Sequence, residues 1–439
     1  YAVEEYSRYG DTNIRLKAMD TGANPTTIPA LFKQISADPS VVAVVGPVTP
    51  DAQIIAASLA STYKLPLIFP INYDEFEVTD TEYIFNLMSN AEIEGETIAR
   101  YAVEELGLMN FGILSPIGSK EGNMANAFAL EVENLGGNVL VHEWYFPGTI
   151  DFKNQFTNIR KIGYDLQMTD SLRIYLQQST MDTSLVDSMP GLIDRYDSLM
   201  IEPVDTSFSV SEDTLYFLGP GEYDIAILDS SLIDTMQQDA LDSLNVAQLD
   251  SLWKLYQDTL DMRRKRAGIR RFDSLDNPVF TYDAIFIPIT VPEDIDFIAN
   301  QFAFYNFDAV LLGNNIWYDL EMLERVERNF RNLYFTSDYF LDDFYDPWGK
   351  FRDNFRSSVG GSPGIYEIYG YDAMQLVFKA ATSFMITKES FRESLNKVNE
   401  ISVSPRGVIE FSEEHWKKNW MILRYYRSRL RLVETEKDK

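Results

Sequence analysis

Residues equipped for chemistry are few in this chain, and their spacing argues against catalysis. None of the 439 residues is cysteine, which removes thiol nucleophiles, thiolate metal sites and disulfides. The two histidines, His142 and His415, are far apart with no ligand spacing, and each reads as a structural residue. No Gly-x-Ser-x-Gly elbow, GK(S/T) phosphate loop or HExxH occurs. Carboxylate pairs abound, as 67 acidic residues guarantee by composition alone. Asp338, Asp342, Asp343 and Asp346 crowd the segment YFTSDYFLDDFYDPW, yet they lack the regular loop spacing and terminal Glu of a calcium loop, so a packed aromatic hinge is expected there. The expectation is a non-enzyme with no metal and no cofactor.

A formal net charge of −29 excludes a general nucleic-acid binder. The absence of cysteine suits an oxidising envelope compartment. No apolar run approaches the roughly 20 residues that a membrane helix needs. The chain begins at Tyr1 without an initiator Met, so a continuation upstream is expected, with any membrane attachment made through an N-terminal anchor there.

The elements that must position any site start from VVAVVGPVTPDAQIIAASLASTYKLPLIFP, residues 41–70. Two runs apolar on every face, 41–45 and 65–69, flank an Ala-rich helix over about 51–63. That is a β-α-β unit of a parallel sheet covered on both sides. In such sheets ligands lie beyond the carboxyl ends of the strands, here near Thr49 and residues 71–74. Around this unit the pattern predicts the end of a helix over 1–9, a strand over 14–18, a helix over 26–37, a strand over 83–88 and a helix over 91–106. A second α/β series follows. It has strands over 111–114, 139–145, 282–289 and 309–312, with helices over 123–135, 151–162 and 294–305. A helix over 369–383 should return to the first unit, and 406–411 and 420–426 read as closing strands. Two α/β domains in tandem imply a cleft between them.

The second series is interrupted over residues 164–281. Asp-(Ser/Thr)-(Leu/Met) recurs through this acidic stretch, and the copies starting at Asp234, Asp242, Asp250 and Asp258 are eight residues apart. Leu241, Leu244, Leu249, Leu252, Leu255 and Leu260 fit an amphipathic helix over about 230–266. The stretch reads either as a low-complexity insertion or as a protruding arm that contacts a partner. Near its end MRRKRAGIRR gathers Arg263, Arg264, Lys265, Arg266, Arg270 and Arg271. This cluster can dock on an acidic partner or neutralise the insertion's own aspartates.

The order and spacing of VVAVVGPVTPDAQ, KLPLIFP, EGETIARYAVEELGLMNFGILSP, ENLGGNVLVHEWYFPGTIDFKNQFTNI, YDAIFIPITVPEDIDFIANQFAFYNFDAVLLGNN and YGYDAMQLV resemble the type I periplasmic-binding proteins of the branched-chain amino-acid receptor kind. QFAFYNFDAVLLGNN and the run from FTSDYFLDDFYDPW to YGYDAMQLV also look like the corresponding domain of penicillin-binding protein activator lipoproteins. The resemblance implies an α/β fold of two doubly wound, Rossmann-like lobes with a hinge. Residues 1–107 and 345–400 would form lobe 1. Residues 108–344 and 401–439 would form lobe 2 and the hinge returns, with 164–281 inserted in lobe 2. It also implies that the first strand of lobe 1, which lies between 14–18 and 41–45 in this fold, is missing from the fragment.

Carried over position by position, the resemblance does not reproduce an amino-acid site. Pro50 stands where a serine is expected, Tyr73 where a threonine is, and Lys120 where a tyrosine is. Asn314 or Asn315 takes the place of the acid that binds the ligand ammonium. A lysine repels an ammonium and cannot accept its hydrogen bonds. The candidate ligand residues are therefore Thr49, Asp51, Asn72, Tyr73, Lys120, Asn123, Asn314 and Asn315, suited to a neutral or anionic polar solute. The alternative is that these are ordinary turn residues.

Two functions fit. One is a solute-binding protein of the bacterial periplasm or cell surface, whose lobes close on a ligand. The other is the same fold reused as a scaffold or activator, lipid-anchored through the upstream segment, that contacts another envelope protein through residues 164–281 and the basic cluster.

Overall fold

The computed structural model describes residues 1–7, 14–21, 24–71, 82–178, 275, 277–381, 387–412, 417 and 419–433. The helix expected over 230–266 and the basic cluster from Arg263 to Arg271 lie outside them.

Lobe 1 is built on three short parallel strands, β1 (Val44–Val45), β2 (Leu67–Phe69) and β3 (Ile84–Asn86), in that order across the sheet. Helix α1 (Ala2–Ser7) precedes them, and α2 (Ile28–Ala37) and α3 (Pro50–Tyr63) belong to the same lobe. Strands β2 and β3 are buried on both faces, apolar throughout in β2 and up to Asn86 in β3, whereas β1 at the edge leaves Val45 exposed. Leu67, Phe69 and Ile84 pack with Ala52, Ala56, Ala57 and Ala60 of α3, whose small side chains let helix and sheet approach closely. Ile68 and Phe85 face the opposite core.

Lobe 2 carries a seven-stranded sheet. In chain order it contributes α4 (Ala91–Arg100, continued by one π turn, Tyr101–Glu105), β4 (Asn110–Pro116), α5 (Lys120–Asn134), β5 (Asn138–Tyr145) and α6 (Lys153–Gln178). After the insertion come β6 (Ala284–Phe286), α7 (Asp294–Phe304), β7 (Val310–Gly313), α8 (Leu320–Val326) and β8 (Leu333–Ser337). The chain then supplies α9 (Asp346–Val359), α10 (Ile365–Ala380), α11 (Lys388–Leu395), β9 (Glu400–Ile401) and β10 (Ile409–Glu410). Trp348 and Phe351 of α9, the buried face of α10, and Ile401 and Ile409 all join the core that contains Ile68 and Phe85. Strands β11 (Met421–Tyr426) and β12 (Arg429–Val433) complete the large sheet, whose order is β12-β11-β8-β7-β6-β4-β5. Its five strands from β8 to β5 are parallel, and β11 and β12 close it antiparallel. Two α/β lobes therefore share one chain that crosses between them three times: at residues 87–90, 338–345 and 411–420.

Both ends of the interrupted region are pinned at one place. The Thr281 hydroxyl donates to the Gly163 carbonyl at 2.5 Å and the Tyr282 hydroxyl to that of Ile159 at 2.7 Å. Arg160 reaches the Asn277 carbonyl at 2.8 Å. Lobe 2 thus closes its sheet across the base of the insertion.

Some expected elements differ. Residues 14–18 form no strand: they are largely exposed and join no sheet, their contacts being side-chain ones such as Lys17 with Asp38 at 3.8 Å. The strand expected over 406–411 shrinks to β10, paired with β9, because Arg406 turns inward to an ionic cluster described below. The last turn of the helix over 91–106 widens to a π turn.

Helices α4 and α5 meet at Gly95, where a Cβ would overlap the Met124 carbonyl of α5. That obstacle is backbone and cannot swing away. Gly95→Ala is expected to force the helices apart and to lower stability by about 1–3 kcal/mol, or somewhat more. Urea denaturation checks this, and an unchanged midpoint would refute the close approach.

Candidate solute site and inter-lobe junction

The carboxyl ends of the parallel strands in both lobes face the crossing segments, so the candidate residues are taken lobe by lobe. In lobe 1, Thr49 is the exposed N-cap of α3 and Asp51 lies exposed in its first turn. Gln53, one turn on, is fully buried; its amide Nε2 donates to the Pro47 and Ile71 carbonyls, tying together the loops after β1 and β2. Those two acceptors fix the amide's orientation and leave its Oε1 buried without a hydrogen bond. Asn72 and Tyr73 lie outside the described residues.

In lobe 2, Lys120 is exposed at the first position of α5 and Asn123 is exposed one turn later. Asn314 is buried. Its amide accepts from the Ile289 N–H at 3.1 Å and donates to the Ile289 carbonyl at 2.9 Å, so both ends brace the main chain. Asn315 contributes through its backbone, donating to Glu94 Oε1 at 2.9 Å. The same oxygen accepts from the Thr336 hydroxyl at the end of β8.

Glu94 was not expected as a site residue. It occupies the first helical turns of α4, directly after the crossing at 87–90, and burial pushes its carboxyl up to about 7. The hydrogen bonds from Thr336 and Asn315 and the positive charge of Lys120 oppose that rise only in part. The fold therefore brings Lys120 and Asn315 around a carboxyl that titrates near neutrality.

A second cluster sits where the three crossings meet. Arg406 is wholly buried. Its Nε donates to Asp372 Oδ2 of α10 at 2.6 Å, one Nη to Asp338, and the other to the Leu87 carbonyl at 3.2 Å. Lys417 donates to the second oxygen of Asp338 at 2.5 Å, and the Tyr369 ring lies under the guanidinium at 4.7 Å. Two cations thus face two carboxylates away from water. Burial raises the Asp338 carboxyl, but Arg406 and Lys417 outweigh it and hold the group below its ordinary range. Asp372 is hydrogen-bonded by Arg406 and not by Lys417, and burial outweighs that pairing, so its carboxyl is raised. Leu87, Asp338 and Lys417 each belong to a different crossing.

The aspartates that hinted at calcium are spent separately. Asp342 accepts from the Phe344 N–H at 2.8 Å, Asp343 pairs with Arg352, and Asp346 pairs with Lys350 at 2.9 Å. Among the described residues no group of three or more His, Cys, Asp or Glu is placed to hold a metal ion. His142 lies on β5 with Nε2 2.8 Å from the Ser115 hydroxyl, and burial lowers its pKa to about 4, leaving a neutral ring stacked on Trp144.

Residues 1–169 match the family described as periplasmic binding protein. Among solved structures, a putative branched-chain amino acid ABC transporter from Rhodospirillum rubrum superposes with a TM-score of 0.66 at 13% identity, covering 98% of this chain and 92% of that one. A leucine binding protein from Thermotoga maritima gives 0.54 at 14% identity, covering 100% and 93%. A solute binding protein from R. palustris in complex with benzoate gives 0.52 at 11% identity, covering 98% and 89%. No curated protein matches significantly by sequence. The chain has the type I periplasmic-binding fold, in which two α/β lobes are joined by a linker.

Proposed function

We propose that the chain is a non-enzymatic, extracytoplasmic solute-binding domain of the bacterial periplasm or cell surface. A small polar solute is received between the carboxyl ends of the two parallel sheets. The observation that carries this reading is the group Glu94, Thr336, Asn315 and Lys120, a polar wall assembled at the ends of β7 and β8 and the start of α5. On lobe 1 the exposed Thr49 and Asp51 would complete the site from the loop after β1, and on lobe 2 the exposed Asn123 would extend it. Lys120 favours a neutral or anionic solute. Native mass spectrometry of the protein from its own cells is expected to show one small molecule bound one-to-one, lost in Lys120→Ala. A protein that arrives empty and stays empty with every offered solute overturns the reading.

The ionic cluster at the three crossings favours a second reading, in which the fold serves as a scaffold or activator. A junction held by Arg406 resists the hinge motion a receptor needs. An envelope protein would then be contacted through residues 164–281, with the basic cluster from Arg263 to Arg271 against an acidic surface. Under this reading an envelope protein co-purifies and is released when residues 179–274 are replaced by a short Gly/Ser linker. Retention of the partner by that variant would remove the insertion from the interface.

A further inference from the structure

The geometry points to Glu94, in its protonated form, as the donor with which lobe 2 holds an oxygen acceptor of the solute, so that the solute is a neutral or anionic oxygen-bearing molecule and not an amine. The inference rests on the solute-binding reading above and names the chemistry of that site. Oε1 accepts from both the Thr336 hydroxyl and the Asn315 N–H, and these are the hydrogen bonds the Glu94 carboxyl makes among the described residues. Two donors on Oε1 favour the proton on Oε2, which leaves Oε2–H for a group outside the protein.

The surroundings select what that group is. From α5 the group facing Glu94 is Lys120, and from the segment after β8 it is Asp338, itself neutralised by Arg406 and Lys417. The segment after β7 contributes only the uncharged Asn315 backbone. The local field is therefore positive when Glu94 is neutral. An ammonium would be repelled, whereas a hydroxyl, amide carbonyl or carboxylate oxygen can accept from Oε2–H and gain from Lys120. Burial keeps Glu94 protonated up to about pH 7, and an acceptor on Oε2–H binds only that form.

The consequence is a defined pH dependence. When only the protonated form binds, apparent affinity follows its population and falls about tenfold between pH 6 and pH 8. Glutamine keeps an oxygen for Thr336 and Asn315 and places an NH2 donor where Oε2–H stood. Glu94→Gln is therefore expected to bind at pH 8 about as tightly as the wild type at pH 6, with the pH dependence gone.

The test is a thermal-shift and calorimetric panel at pH 6 and pH 8 on the full chain. Its probes are neutral mono- and disaccharides, their N-acetylated forms, simple mono- and dicarboxylates, the common L-amino acids and simple primary amines. Binding of a sugar, amide or carboxylate that weakens about tenfold at pH 8, and is rescued there by Glu94→Gln, supports the inference. A best ligand that is an amine, or one whose affinity rises with pH and is lost in Glu94→Gln, overturns it. So does an equal pH profile for wild type and variant. Absence of binding by any probe, with no small molecule retained in native mass spectrometry, fails the solute-binding reading itself and takes the inference with it.

Discussion

Arg406→Ala is expected to cost about 3–5 kcal/mol, because it strands the buried Asp372 carboxyl and leaves the buried Asp338 with one cation in place of two. Asp338 retains Lys417, but Asp372 loses the one cation that hydrogen-bonds it among the described residues. Tyr369 loses the guanidinium over its ring, and the Leu87 carbonyl loses a donor. The cost is the penalty of unpaired buried charge, not the net worth of the ion pairs. Replacing Arg406, Asp338, Asp372 and Lys417 together with apolar residues of similar volume is therefore expected to be far less harmful than the single change. Urea denaturation of both variants decides the matter. A single variant within about 1 kcal/mol of the wild type would show that the cluster does not hold the crossings together. Where the single variant does fold, the lobes should sample a wider range of separations in small-angle scattering, since the crossings that carry Leu87 and Asp338 each lose a contact.

The layered architecture was legible because it follows from local pattern. The runs at 41–45 and 65–69 are apolar on both faces, and β1 and β2 are indeed parallel neighbours joined by α3. What was not legible depended on residues far apart in the chain. Arg406 lies in SPRGVIEF, which reads as a strand; Asp338 lies in an aromatic acidic stretch; Asp372 lies on a helix. No periodicity links the three, and only the folded chain brings them within hydrogen-bonding distance. Two local signals were nevertheless present. Ala91, Glu94, Gly95, Ile98 and Ala99 share the buried stripe of α4, so Glu94 sits where an apolar residue belongs. Asp372 likewise lies on the stripe of α10 with Ile368, Tyr369, Ala373 and Leu376. An acid on the apolar face of a helix is a stronger pointer to a site than an Asn in a turn. Asn314 illustrates the difference: it stands at a strand end where a ligand contact is expected, and its amide is committed to the Ile289 backbone.

Glu94→Gln is expected to stabilise the ligand-free protein at pH 8, by about 2–3 kcal/mol more than at pH 5. In the unfolded chain this carboxyl ionises near its ordinary value of 4.5, whereas burial raises it to about 7 in the folded state. Between those values the folded protein keeps a proton that the unfolded chain has released. Stability from this group is therefore complete below pH 4.5 and is lost as pH rises toward 7, at roughly 1.4 kcal/mol per pH unit. Glutamine is neutral throughout and escapes that loss, while its carbonyl still accepts from Thr336 and Asn315. Thermal unfolding of both proteins at the two pH values reads the effect, and a difference that does not change with pH would show that Glu94 is not buried in a charge-averse setting. The same energetics explain why such a residue can serve recognition. A solute that accepts from Oε2–H holds the proton in place and relieves part of the cost of burying an ionisable group, so the strain present in the empty site becomes affinity when it is filled.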